Sequence, residues 1–132
     1  MFVMTITEVA PPGVKTSGRQ SRLPQASMRA GFVIDAVGGG ANLASYLGVN
    51  RSQPTKWRKG DDTPSPDVGR VLLDLDYVIA RASMLWPAEV VQDWLTGSNS
   101  FLNGARPIDT LKSQGVKPVI DALDAEYAGA YA

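Results

Sequence analysis

The stretch "SPDVGRVLLDLDYVIARASMLWP", residues 65–87, does most to constrain how this chain folds. Val68, Leu72, Leu75, Val78 or Ile79, and Ala82 recur at spacings of three and four, which is one face of a 3.6-residue helix. Ser65 suits an N-cap, Pro66 the first helical position, and Asp67 the positive end of the helix dipole. The pattern predicts a helix from Pro66 to about Leu85. Such a helix is roughly 30 Å long and can join two halves of a molecule. Pro87 then forces a new start.

The remaining chain is punctuated in the same way. Ser27 can cap a helix reaching about Val37, with Met28, Phe32 and Val33 or Ile34 on one face. The glycines at 38–40 end it, because glycine accepts the left-handed conformation of a helix terminus. Ala41 to Leu47 and Arg51 to Lys59 read as two short helices. Ala88 to Thr96 is another, stopped by Gly97, and Pro107 to Ser113 another, stopped by Gly115. Pro118 is expected to open the last helix, with Val119, Ile120, Leu123 and Tyr127 on one side. Residues 1–26 hold a Pro-Pro-Gly break and many Ser, Gln and Arg residues, the composition of a flexible basic arm. No repeat or heptad seam is visible, and the expected class is all-α.

Composition narrows the chemistry. The chain has 132 residues, 44% of them hydrophobic, with no cysteine and no histidine. Thiolate metal sites, thiol nucleophiles and the commonest general base are therefore absent. Asp61, Asp62, Asp74, Asp76 and Asp93 fall at turns and on helix surfaces. The Gly38-Gly39-Gly40 run follows no strand, so it is no dinucleotide fingerprint. The expectation is a non-enzyme with no catalytic residue, no cofactor and no metal. No apolar run approaches about eighteen residues, so no membrane contact is expected. The first residues lack a secretory pattern, which makes a cytoplasmic protein the expectation. Net charge is zero, but residues 1–60 carry eight basic side chains against two acidic, and residues 61–132 carry five against eleven. That split suggests two partners of different kind, with nucleic acid attracted to the first half.

"ANLASYLGVNRSQPTKWRKG", Ala41 to Gly60, has the layout of a helix-turn-helix. Ala44 allows close packing of the second helix, and Gly48 makes the turn four residues later. Leu43, Leu47, Val49 and Trp57 fall where the motif needs core contacts. The motif puts the start of its second helix into the major groove. Arg51, Ser52, Thr55 and Lys56 would then face bases, Asn50 would cap the helix, and Arg58 and Lys59 would meet phosphates. Pro54 departs from the branched aliphatic residue usual at its position. It falls in the first helical turn, where few amide donors are paired.

"WLTGSNSFLNGARPIDTLKSQG", Trp94 to Gly115, mixes loop breakers with large apolar residues. It reads as two short helices joined by a specified turn, with Trp94, Phe101, Leu102, Ile108 and Leu111 as the packing set. Asp109 lies in the first turn of its helix, where the dipole stabilises a carboxylate, and within reach of Arg106. Trp94, Leu95, Asn99, Leu102, Gly104, Arg106, Pro107, Ile108, Asp109 and Leu111 together resemble the toxin-binding domain of the Xre/MbcA/ParS antitoxins. The resemblance covers residues 41–132 in order.

The resemblance implies an N-terminal helix-turn-helix bundle (27–64), then a connecting helix and a small C-terminal toxin-binding module (65–132). It implies a cognate toxin of the RES-domain type that consumes NAD⁺, blocked at its active site by the antitoxin's C-terminal region. It also implies repression of the antitoxin's own promoter through operator DNA. Arg106, Asp109, Asp124, Glu126, Tyr127 and Tyr131 are the expected toxin contacts. Tyrosines anchor at low entropic cost, and acidic groups, Asp121 among them, suit a cleft built for an anionic dinucleotide. A homodimer or higher toxin–antitoxin assembly is expected. The competing reading is a stand-alone helix-turn-helix repressor, chromosomal or phage, whose C-terminal module only dimerises.

Overall fold

The computed structural model describes residues 26–130, and every regular element among them is helical. The order is α1 (26–36), α2 (Gly40–Leu47), α3 (Gln53–Lys59), α4 (Pro66–Ala82) and α5 (Ala88–Thr96). A 3₁₀ turn (Ser100–Leu102), α6 (Pro107–Gln114) and α7 (Val116–Ala130) complete it. The all-α expectation holds. Of the expected basic arm, only Ala26 is described, and it is helical. Tyr131 also lies outside the described residues.

Local chemistry sets the helix ends. α1, α2 and α3 each stop at a glycine of positive φ: Gly38 at 91°, Gly48 at 72° and Gly60 at 80°. After α2 the Val49 amide donates back to Ala44 O at 3.0 Å, and the Gly48 amide to Ser45 O at 3.4 Å. This paired closure satisfies carbonyls that the helix end would leave open, and it needs a residue without a Cβ at its turning point. At the start of α4 the Ser65 hydroxyl accepts from the Val68 amide at 3.4 Å, with Pro66 in the first turn.

α4 is the central element. It buries Val71, Leu72, Leu75, Val78, Ile79 and Ala82. One hydrophobic cluster surrounds it, formed on one side by Ala30, Val33 and Ile34 of α1, Val37 just after that helix, Leu43 of α2 and Trp57 of α3. Val91 and Leu95 of α5, Ile108 and Leu111 of α6, and Val119 and Leu123 of α7 close the other.

Several boundaries and faces differ from expectation. α4 ends at Ala82 rather than near Leu85, because residues 83–85 unwind into a turn ahead of Pro87. Residues preceding a proline are pushed off the helical region. α7 opens at Val116, with Pro118 inside its first turn, where a missing amide costs nothing. α3 begins at Gln53, not Arg51. On α1 the buried apolar side chains are Ala30, Val33 and Ile34, with Val37 just past its end, while Met28 and Phe32 are exposed. That helix is apolar over more than one face, so spacing alone did not choose the buried one.

Candidate functional site

The helix pair α2–α3 is packed much as its sequence predicts. Leu43, Ala44 and Trp57 are buried, Leu47 and Val49 are half-buried, and Pro54 is buried at the start of α3. The entry to α3 is set by Asn50, whose side-chain oxygen accepts from the Ser52 amide at 2.9 Å and from the Ser52 hydroxyl at 2.8 Å. Asn50 therefore shapes the turn ahead of the helix, and Arg51 and Ser52 sit in that turn. Arg51, Ser52, Thr55, Lys56, Arg58 and Lys59 are all exposed. Among the described residues Arg51, Lys56 and Lys59 join no salt bridge, whereas Arg58 donates to both carboxylate oxygens of Asp35 at 3.2 Å. The Arg58 guanidinium also lies close over Gly31, whose added Cβ would come 3.4 Å from Nε. Arg58 thus clamps α3 onto α1, a use that sequence spacing did not reveal.

The segment between α5 and α6 forms a tightly tied loop. Asn99 is nearly buried, and its side chain accepts from the Phe101 amide at 2.9 Å. Its backbone amide donates to Ala105 O at 3.1 Å, and its carbonyl accepts from Gly104 N at 2.8 Å. The Ser98 hydroxyl donates to Gly104 O at 2.9 Å. Asn103 adopts φ 59°, which asparagine tolerates better than most side chains. Of the expected packing set, Ile108 and Leu111 are fully buried and Trp94 and Leu102 half-buried. Phe101 departs from it: this ring is 56% exposed, because the 3₁₀ turn that Asn99 fixes points it outward.

α6 starts at Pro107, directly after Arg106. Arg106 donates to both oxygens of Asp109, at 2.7 and 3.0 Å. This hydrogen bonding holds the Asp109 carboxyl below its ordinary value and the Arg106 guanidinium above its own. Both side chains remain partly open to solvent.

α7 packs along α6 and α4, and its polar residues are engaged within the chain. Asp124 accepts from Arg81 at 2.8 Å, and Glu126 accepts from the Trp94 indole at 3.2 Å. The Tyr127 hydroxyl donates to the Arg81 carbonyl at 2.7 Å. The Arg81 guanidinium lies 5.9 Å from the ring centres of both Tyr77 and Tyr127 and donates to the Tyr77 hydroxyl at 3.3 Å. That hydrogen bond, followed by the nearby Asp124 charge, raises the Arg81 pKa. Trp86 packs against Trp94 with ring centres 5.8 Å apart. Arg81 was not foreseen as a centre. Its pairing with Tyr77 follows helical spacing, but its bond to Asp124 spans 43 residues. Asp121 pairs with Lys117 on the outer surface of α7.

Among the described residues no group of His, Cys, Asp and Glu is placed to hold a metal, and no helix is long and apolar enough to cross a membrane.

Comparison with known proteins bears on this arrangement. Residues 81–129, from the end of α4 through most of α7, match the antitoxin Xre/MbcA/ParS C-terminal toxin-binding domain. A probable mycobacterial cidal antitoxin of Mycobacterium tuberculosis is 31% identical over 90 residues, which is 68% of this chain and 76% of that protein. The fold is also similar to a chain in the crystal structure of the M. tuberculosis MbcT–MbcA toxin–antitoxin complex. The TM-score there is 0.67 at 18% identity, covering 78% of this chain and 94% of that one. The segment tied down by Asn99, Arg106 and Asp109 is thus the centre of a toxin-binding domain, and the chain, an antitoxin rather than an enzyme, belongs to the Xre/MbcA/ParS antitoxin family.

Proposed function

We propose that this antitoxin binds a RES-domain toxin that consumes NAD⁺, and blocks its active site with the C-terminal end of α7. The observation that carries this reading is the match of residues 81–129 to a toxin-binding domain, supported by an α7 whose side chains are bonded to α4 and α5 within the chain. A docked helix presents its end without paying ordering entropy at binding, which favours tight inhibition. Asp124, Glu126 and Tyr127 take part first by fixing α7 against α4 and α5, and Arg106 and Asp109 by fixing the start of α6. Tyr131 completes the proposed contact set.

We further propose that α2 and α3 bind operator DNA and that the protein represses its own promoter as a homodimer or within a larger toxin–antitoxin assembly. Support comes from the exposed cations Arg51, Lys56 and Lys59 grouped on α3 and the turn before it. In this reading residues 27–64 form the DNA-facing region, and residues 65–132 the connecting helix and toxin-binding module.

Co-expression with the neighbouring gene tests the first proposal. That gene alone should stop growth and deplete cellular NAD⁺, and this chain should restore both. A harmless neighbour, or growth arrest with NAD⁺ unchanged, refutes the RES reading. Deleting residues 129–132, beyond the α7 side chains that hold the helix, should abolish rescue while leaving the fold intact. Full rescue by that truncation refutes active-site blocking by the α7 end.

A further inference from the structure

Phe101 stands out within the toxin-binding domain. It is 56% exposed although its loop is tied by bonds from Asn99, Ser98 and Gly104 and passes through a left-handed Asn103. An aromatic ring held outward by a rigid loop has the character of an interface anchor, with large contact area and little freedom left to lose. Behind the ring lies a concavity of about 210 Å³, lined by Asn103, Thr110 and Gln114 among others. Thr110 forms its floor, 3% exposed, with its Oγ1 sealed from the surface. The contrast with the α7 end is plain, since Asp124, Glu126 and Tyr127 are bonded to α4 and α5.

We infer that Phe101 and the concavity behind it form a second docking point for the cognate toxin, separate from the α7 end. The Phe101 ring enters an apolar slot on the toxin, and a toxin side chain fills the concavity beside it. The occupant is the toxin because Phe101, Asn103, Thr110 and Gln114 all lie inside the matched toxin-binding domain. The inference rests on the toxin partner proposed above.

The test measures affinity of the full-length chain for the purified toxin by calorimetry, with melting temperature recorded for each variant. Phe101→Ala should weaken binding about 30-fold or more, the loss typical of an aromatic anchor, with its melting temperature unchanged. Thr110→Val removes a hydroxyl sealed beneath the surface at equal shape, so it should melt no lower than wild type and bind toxin as wild type does. A purely structural role for Phe101 would leave its affinity unaltered. Wild-type affinity in Phe101→Ala overturns the docking point. Failure of the wild-type chain itself to bind the toxin overturns the partner as well.

Discussion

The Lys112 ammonium of α6 lies 2.6 Å from the carbonyl oxygen of Tyr46, in the last turn of α2. The two residues are 66 positions apart. A cation at the C-terminal carbonyls of a helix satisfies an open acceptor and complements the negative end of the dipole. This bond joins the toxin-binding domain directly to the helix pair proposed to meet DNA.

Lys112→Met should lower stability by about 0.5–1 kcal/mol, the range for an exposed charge at a helix end. Urea unfolding monitored by tryptophan fluorescence measures it. An unaltered midpoint would mean that the bond does not hold in solution.

Tyr127→Phe deletes the hydroxyl that donates to the Arg81 carbonyl. A loss of about 0.5–1.5 kcal/mol is expected, with faster amide exchange along the second half of α7. Arg81→Ala removes the partner of Asp124 and the cation between Tyr77 and Tyr127, so exchange there should quicken further. If α7 amides stay as protected as in wild type, α7 is not held by Arg81.

Asp109 supplies a pH dependence. Its folded pKa is held below the ordinary 3.8, chiefly by the hydrogen bond from Arg106. The stabilisation is therefore complete above pH 3.8 and is lost as pH falls through the folded value. Acid titration of unfolding should show wild type losing stability below pH 3.8 more steeply than Asp109→Asn. Parallel curves would refute the coupling.

Two glycines should respond in opposite directions. A Cβ at Gly97 would come 2.8 Å from the backbone oxygen of Asp93, so Gly97→Ala should destabilise by about 1–3 kcal/mol. A Cβ at Gly69, within α4, meets nothing within 4 Å. Gly69→Ala should therefore raise stability by about 0.5–1 kcal/mol through reduced backbone entropy in the unfolded chain. Thermal melts of the pair decide both.

On operator DNA, Lys59→Ala should weaken binding to all sequences alike and reduce the salt slope by about 1. Arg51→Ala should weaken only the specific site, about 10-fold or more, if it reads a base. Arg58 differs from both. Asp35→Ala frees Arg58 and removes an acidic charge, so affinity for all sequences should not fall, but a loosened α3 should discriminate its specific site less well. Unchanged discrimination in Asp35→Ala would show that the clamp does not position α3.

The sequence by itself determined the helical class, most helix boundaries and the family. Those follow from local causes: Pro66, Pro87 and Pro107 at or next to helix starts, Ser65 as a cap, glycines at helix ends, and Val, Leu and Ile at 3.6-residue spacing. The Arg106–Asp109 pair was also legible, since its partners are one helical turn apart. Tertiary structure alone decided which apolar residues face inward and what the charged residues touch. Met28 and Phe32 stay outside because α1 turns Ala30, Val33 and Ile34 into the shared core. Phe101 is displayed rather than buried because Asn99 closes the loop beneath it. Arg58 meets Asp35, Arg81 meets Asp124, and Lys112 meets Tyr46 across 23, 43 and 66 residues respectively. Such pairs form only once helices pack, because a side chain's partner depends on where distant backbone comes to rest and not on its own neighbours in the chain.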